Sequence, residues 1–517
     1  MTIRRAVALL VVLALVLGSA LTVALVLGAD DPGAGMPSSV PSSTPDAGTT
    51  VPPERGLGRF YRQQIDWHGC GGNLCGTLEV PLDYRDLTGD TIDLALLKVP
   101  AAEPDERVGS LVVNPGGPGA PGTDYAANAA TVFRKPILDA FDIVGFDPRG
   151  TGHSAAVDCL SDDQLDDYIA EDPDPDTPAE VDTYERWVAA LGKGCPERSG
   201  AIAGHVTTVE AARDMDVLRA ALGESQLDYF GASYGTKLGA TYADLFPDRV
   251  GRFVLDGAVD VSLTSREMSL EQAAGFETAL RAYVQDCVDS DDCVLGDSLD
   301  EGLATVKRLL DDVDAQPLPT DDGDRVLAVG NAFYGVVLPL YVRDYWPYLT
   351  DAIAAALDGD GTMLLRFSDL YNSREGDGYT DNSSEAIYAI NCLDDPWSIP
   401  ASEVPANLAE FEQASPTFGS VFAWGLTSCG GMQVQSSEPP RDIRAAGAAP
   451  IVVVGTTRDP ATPYDWAVAL ADQLESGVLV TRDGDGHTGY NSGNECVDSA
   501  VEDYLVTGDV PRDGLSC

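Results

Sequence analysis

The residues best placed to do chemistry centre on Gly231-Ala232-Ser233-Tyr234-Gly235, a G-x-S-x-G element. It stands between an apolar run at 227–231 (LDYFG) and a helical pattern at 234–245. A strand-to-helix turn this sharp strains the serine backbone and projects the hydroxyl above the sheet, so Ser233 is the expected nucleophile. Gly231 and Gly235 leave room for the turn, and Gly239 lets the helix approach the sheet. A serine hydroxyl needs a base. The chain has four histidines, His68, His153, His205 and His487. Where such an elbow is used, the chain order is serine, acid, histidine, and only His487 follows Ser233. It ends the segment 483–487 (DGDGH), expected to be a loop flexible enough to aim the ring. His153, in a Gly/Pro-rich loop, reads as structural; His68 and His205 take no role.

The acid should close a strand between these two. Asp459 does so in 451–460 (IVVVGTTRDP), where it would hold the imidazole tautomer and stabilise the imidazolium. Asp256, after the run 252–255, is the rival one strand earlier. Asp465 is expected in the next helix, pointing elsewhere. The developing oxyanion needs two fixed N–H donors. One is the backbone of Tyr234. The other is expected from Asn114-Pro115-Gly116-Gly117-Pro118-Gly119, with Gly117 first and Gly116 second.

These groups must be carried by strands and helices of definite type. Residues 91–99 alternate Ile92, Leu94 and Leu96 on one side, a half-buried strand. The runs 110–114, 141–146, 227–231, 252–255, 451–455 and 478–481 are short, apolar and bounded by turns, as buried parallel strands are. Helical patterns lie between them, one opened by a capping box at Thr207-x-x-Glu210. From 262 to 440 the pattern changes to helices, such as 270–288 and 303–313. The reading is an α/β fold: a mostly parallel sheet in two parts, 58–261 and 441–517, with a mostly helical cap inserted at 262–440. Asp172, Asp174 and Asp176 lack the glycine and terminal glutamate of a calcium loop and read as a solvated acidic loop.

Composition narrows the function classes. The chain has 517 residues, 44% of them hydrophobic, which excludes disorder and allows a large core. A formal net charge of −51 excludes nucleic acid as a partner and disfavours anionic lipid. Arg4 and Arg5 precede an apolar run at 6–27, so residues 1–29 are expected to be a signal peptide or a membrane anchor. Residues 30–57 follow as a disordered linker rich in Pro, Ser, Thr and Gly. Ten cysteines agree with an oxidising, extracellular or cell-envelope location. Their order suggests pairing of near neighbours: Cys70–Cys75, Cys159–Cys195, Cys287–Cys293, Cys392–Cys429 and Cys496–Cys517. The C-x-x-C spacing that zinc sites favour is absent, so no metal is expected.

Six segments together carry a resemblance: NPGGPG at 114–119, GFDPRGTG at 145–152, GASYGT at 231–236, LDGAVD at 255–260, GTTRDPATP at 455–463 and GHT at 486–488. The chain resembles the secreted tripeptidyl aminopeptidases of actinobacteria, relatives of the prolyl aminopeptidases, from about residue 60 to the C-terminus. The resemblance implies an α/β-hydrolase core with a helical cap. It also implies a serine peptidase that removes short peptides from free N-termini, with Ser233, Asp459 and His487 as its working residues.

An enzyme acting on free N-termini must hold a protonated amino group at a fixed distance from the nucleophile, and cap carboxylates could do so. Glu385 and Asp394, flanking 386–392 beside the expected Cys392–Cys429 bond, are the candidates. The expected chemistry is acyl transfer through a covalent serine ester, with no cofactor, on peptide substrates with free N-termini. An esterase or lipase acting on envelope or xenobiotic esters is the alternative. A non-catalytic binding protein on the same fold is a third reading.

Overall fold

The computed structural model describes residues 51–517 except 291, 292, 437, 439 and 440. The expected leader and the linker up to residue 50 lie outside the described residues. Leu57, placed in the linker by its sequence context, is buried in the main core beside Phe60 and Tyr61.

Strands in chain order are β1 (His68–Cys70), β2 (Asn73–Pro81), β3 (Thr91–Val99), β4 (Gly109–Asn114), β5 (Phe141–Phe146), β6 (Leu227–Ala232) and β7 (Val250–Asp256). Two short hairpins follow, β8 (Leu318–Pro319) with β9 (Val326–Leu327) and β10 (Arg374–Glu375) with β11 (Gly378–Tyr379). The last strands are β12 (Ile451–Arg458), β13 (Gly477–Asp485) and β14 (Leu515–Ser516). Ten of them form one sheet in the order β1-β2-β3-β5-β4-β6-β7-β12-β13-β14. Pairing is parallel from β5 to β14, and antiparallel where β1, β2 and β3 join its edge.

The apolar runs are central strands because both of their faces are covered. All six residues of β4 are buried. Val112 faces a core shared with the helices Thr208–Leu222 and Tyr234–Leu245, while Leu111 and Val113 face a second core under Lys135–Ala140 and Glu495–Thr507. Period-two alternation thus serves two cores, each such side chain contributing about 2 kcal/mol of burial.

Between β7 and β12 the chain forms helices from Ser265–Val288 to Gly419–Gly425 with a core of their own, including Leu280, Val336 and Leu349. The helices Asp162–Ala170 and Pro178–Ser199, which precede β6, join this layer. Asp166 pairs with Arg374 at 2.6 Å, and the Tyr184 ring packs on Trp424 at 5.4 Å. The roof over the sheet is therefore built from two stretches of chain. The acidic loop before the second helix is solvated only in part: Asp176 is exposed, whereas Asp172 and Asp174 are half-buried. Asp174 takes a hydrogen bond from Ser420 of the roof, and burial pushes the Asp172 carboxyl up to about 7.

The cysteines bond in sequential pairs, Cys70–Cys75, Cys159–Cys195, Cys287–Cys293, Cys392–Cys429 and Cys496–Cys517. The capping box at Thr207 is only half closed. Thr207 Oγ1 accepts from the Glu210 N–H, but the Glu210 carboxylate takes the Thr207 hydroxyl and His205 Nδ1 instead of the Thr207 N–H.

Candidate active site

β6 ends one residue before Ser233, and the helix Tyr234–Leu245 begins one residue after it. Ser233 has φ 56° and ψ −128°, a conformation that side chains rarely adopt. The turn is over-determined by its neighbours. The Ser233 N–H donates to Asp256 O at 2.9 Å, and its carbonyl accepts from Thr236 N at 2.8 Å. The half-buried hydroxyl has no hydrogen-bond partner among the described residues.

His487 and Asp459 meet although 28 residues separate them. The imidazole Nδ1 lies 2.8 and 2.9 Å from the two Asp459 carboxylate oxygens. Asp459 is held in turn by the N–H groups of Ala461, Thr462 and Thr488. The second ring nitrogen, Nε2, has no partner among the described residues. The imidazole edge lies against Gly257, where a Cβ would come within 3.1 Å of His487 Cε1. The preceding residue, Asp256, carries the carbonyl that binds the Ser233 amide. The ring and Ser233 therefore border the same peptide, with Nδ1 engaged and Nε2 without a partner among the described residues. Burial disfavours charging this imidazole, but the Asp459 charge and hydrogen bond outweigh it, and the pKa is raised above the ordinary histidine value.

The segment before His487 is more rigid than its glycines suggest. β13 continues through Asp485, held by Arg458 on β12 at 2.5 Å, and Asp483 accepts from Thr457. Asp256, the rival acid, does not touch the ring. Its two oxygens accept the N–H groups of Gly489 and Tyr490 at 2.7 and 2.9 Å. Burial pushes its carboxyl up to about 6 against the pull of those two bonds. It braces the loop just beyond His487.

The glycine loop after β4 lies directly beside the elbow. A Cβ at Gly116 would fall 2.8 Å from Ser233 Cβ and 2.9 Å from Tyr234 N, so only glycine allows this approach, and its φ is +99°. The Gly116 N–H is already committed, donating to Asn114 Oδ1 at 3.0 Å. The N–H groups of Gly117 and Tyr234 have no partner among the described residues. Asn114 is buried, and its Nδ2 is an unsatisfied donor. Its place at the strand end, just before the glycines, was a signal that sequence reasoning passed over.

The two cap carboxylates expected to meet a substrate amine are committed elsewhere, which corrects that assignment. Glu385 is buried and accepts the N–H groups of Cys159 and Leu160 at 2.6 and 2.7 Å, clamping the loop after β5 to the roof. Burial pushes its carboxyl up to about 7. Asp394 pairs with Lys237 at 2.7 Å and accepts the Thr208 N–H at 2.9 Å. Neither lines the cavity of about 390 Å³ under the roof. That cavity is walled by Tyr168, Tyr334, Tyr371, Tyr388 and Trp397, and reaches Lys237 on the first turn of the helix that follows Ser233. Asp395 is the one carboxylate among the described residues lining it. It accepts from Ser265 Oγ and the Trp397 N–H, and no cation pairs with it among the described residues.

The other histidines lie outside this arrangement. The His153 side chain is exposed, though its N–H donates to Asp147. His205, Asp83 and Glu210 could together reach one ion, but Arg85 already pairs with Asp83, and Arg149 lies 3.7 Å from Glu210. His68 sits on the edge strand β1.

Residues 415–517 match the family described as TAP-like protein. The chain is 36% identical over 477 residues to serine protease Hip1 of Mycobacterium tuberculosis, covering 88% of this chain and 91% of that protein. It is 37% identical over 505 residues to a protein of the same species named carboxylesterase B, covering 93% and 95%. It is 32% identical over 487 residues to tripeptidyl aminopeptidase of Streptomyces lividans, covering 89% and 87%.

Proposed function

Since the chain belongs to the TAP-like family of α/β-hydrolase serine hydrolases, we propose that it is an exported exopeptidase that releases short peptides, tripeptides foremost, from free N-termini. The observation that carries the catalytic part is that the imidazole held on Asp459 and the strained Ser233 border the same Asp256–Gly257 peptide, with two uncommitted N–H groups at the elbow.

In this reading Ser233 Oγ attacks the scissile carbonyl carbon while its proton passes to His487 Nε2. The oxyanion takes hydrogen bonds from the Tyr234 and Gly117 N–H groups. The C–N bond then breaks, and His487 returns the proton to the departing amine. Water attacks the serine ester by the same route and releases the peptide acid. Asp459 fixes the ring by its Nδ1 and stabilises the imidazolium. No step calls for a metal or organic cofactor.

The cavity under the roof supports a peptide substrate. Three extended residues span about 10 Å, and in this reading the acyl part of the substrate runs from Ser233 past Lys237 into the aromatic-walled space. The substrate's protonated amine meets the Asp395 carboxylate there. Export is supported by the Arg-flanked apolar run at 6–27 and by the five disulfides, which persist in oxidising compartments. Whether as a cleaved signal or a retained tether, that run supports a location at or beyond the cell envelope.

A fluorophosphonate probe should label Ser233, and the enzyme should cleave free tripeptidyl anilides while sparing their N-acetylated forms. Asp395→Asn should raise KM for tripeptidyl anilides with free N-termini and leave turnover of small acyl esters unchanged. Ester turnover with equal or no action on both peptide forms would favour the esterase reading that the carboxylesterase-named relative supports. A folded protein that resists the probe would favour a binding protein.

A further inference from the structure

The base His487 belongs to the sheet domain, yet part of its mooring comes from the roof. Its backbone N–H donates to the carbonyl of Tyr341 at 2.8 Å. The Tyr341 ring meets the imidazole edge-to-face, 5.4 Å between centroids at 84°. Gly486, with φ +99°, lies so close that a Cβ would stand 2.9 Å from Tyr341 O. Two residues further along the roof, Arg343 pairs with Asp485 at 3.0 Å and with Asp286 of the helix Ser265–Val288. Asp485 is the residue that Arg458 holds from the sheet side. The roof thus contacts three consecutive residues, 485 to 487.

We propose that the roof segment Tyr341–Arg343 is a positioning strap for the catalytic histidine: Tyr341 sets the place of the ring and shields it from water, and Arg343 fixes the approach of the strand that carries it. The proposal rests on the reading of Ser233, Asp459 and His487 given above. It makes the insertion part of the catalytic apparatus and not only a filter for substrate size. The strap also borders the substrate space, because the Tyr341 ring contacts Tyr371, which lines the cavity.

The groups that face the imidazole are few. Asp459 contacts it from the end of β12, and Asp256 acts on it from the end of β7. Arg482 on β13 interacts with both of those carboxylates. Thr462 Oγ1 stands 3.4 Å from Nδ1. Tyr341 is half-buried and stays neutral, its phenol pushed far above its ordinary range by desolvation first and then by its neighbour Tyr371. Burial is the largest single influence on the ring and works against its protonation. Removing the Tyr341 ring admits water and relaxes that influence, so protonation should become easier.

The test uses the full chain with a tripeptidyl anilide and with p-nitrophenyl acetate, an ester too small to need the cavity. Tyr341→Ala should lower kcat on both substrates by about 10–100-fold, the scale of a misplaced general base. The acid limb of kcat/KM should move to higher pH, and Tyr341→Phe should restore both. Arg343→Gln should show the same pattern more weakly, and it decides alone if Tyr341→Ala does not fold by circular dichroism. Folded variants that raise KM for the peptide only, with acetate turnover and pH profile unmoved, would overturn the strap and leave a substrate wall. Ser233→Ala is measured in parallel. Activity persisting there would overturn the underlying reading itself, an outcome distinct from failure of the strap alone.

Discussion

Asp459 grips His487 Nδ1 with both carboxylate oxygens, at 2.8 and 2.9 Å, and the N–H groups of Ala461, Thr462 and Thr488 occupy its other lone pairs. An aspartate anchored by so many donors serves as a fixed pedestal for the ring. Asp459→Asn keeps the shape and removes the charge that selects the tautomer. It should lower kcat by about 10⁴-fold, with little change in KM. Asp256→Asn should lower kcat less than about tenfold, because Asp256 braces Gly489 and Tyr490 and never meets the ring. Steady-state kinetics on the two variants check this, and the reverse order would move the acid to β7.

The imidazole must be neutral to accept the serine proton, and its pKa is raised by Asp459. Activity should therefore fall as pH drops through a value above the ordinary histidine pKa of about 6.5. A kcat/KM profile on an acetate ester reads this directly. An acid limb centred below the ordinary value would contradict the pairing with Asp459.

Asn114 ties the Gly116 N–H and so leaves the Gly117 N–H free to face the oxyanion. Asn114→Ala releases the loop and removes its own Nδ2, but neither of the two N–H groups proposed for the oxyanion. It should cost about tenfold in kcat, less than the 10²–10³-fold for losing an oxyanion donor outright. KM should hold, and affinity for a boronate transition-state analogue should fall in step with kcat.

Glu385 is a buried clamp whose carboxyl is pushed up to about 7 by burial. A pKa raised on folding gives stability that is complete below the unfolded value of about 4.5 and is lost as pH rises through about 7, amounting to about 3 kcal/mol at most. Glu385→Gln keeps one oxygen to accept both the Cys159 and Leu160 N–H groups and removes the ionisation. Its melting temperature should match the wild type near pH 4 and exceed it at pH 8. KM for tripeptidyl anilides should stay constant, since Glu385 does not line the cavity.

Much of the sheet could be read in advance because its signals are local. The runs 141–146 and 91–99 coincide with β5 and β3 to the residue, their apolar pattern and bounding turns lying within a few positions. β13 was read too short. Its last residues, Thr481 to Asp485, are polar with a glycine at 484, and they are held in the strand by Arg458 and Thr457 from β12, contacts with no trace in local sequence. The partial cover of the acidic loop has a related cause, since the roof residue Ser420 that meets Asp174 lies 246 positions away.

By itself the sequence determined the order of the fold and the places where chemistry could occur. A serine in a strand-to-helix turn, a lone downstream histidine and an aspartate closing a strand are set by spacing and turn chemistry along the chain. Only the tertiary structure decided which carboxylates are available. In a chain with 83 acidic residues, nothing local separates a buried clamp such as Glu385, or an ion-paired Asp394, from Asp395 in the cavity wall. A carboxylate's role depends on the distant segments folded against it. The contact of Tyr341 with His487 arises in the same way, from one long-range packing of the roof onto the sheet.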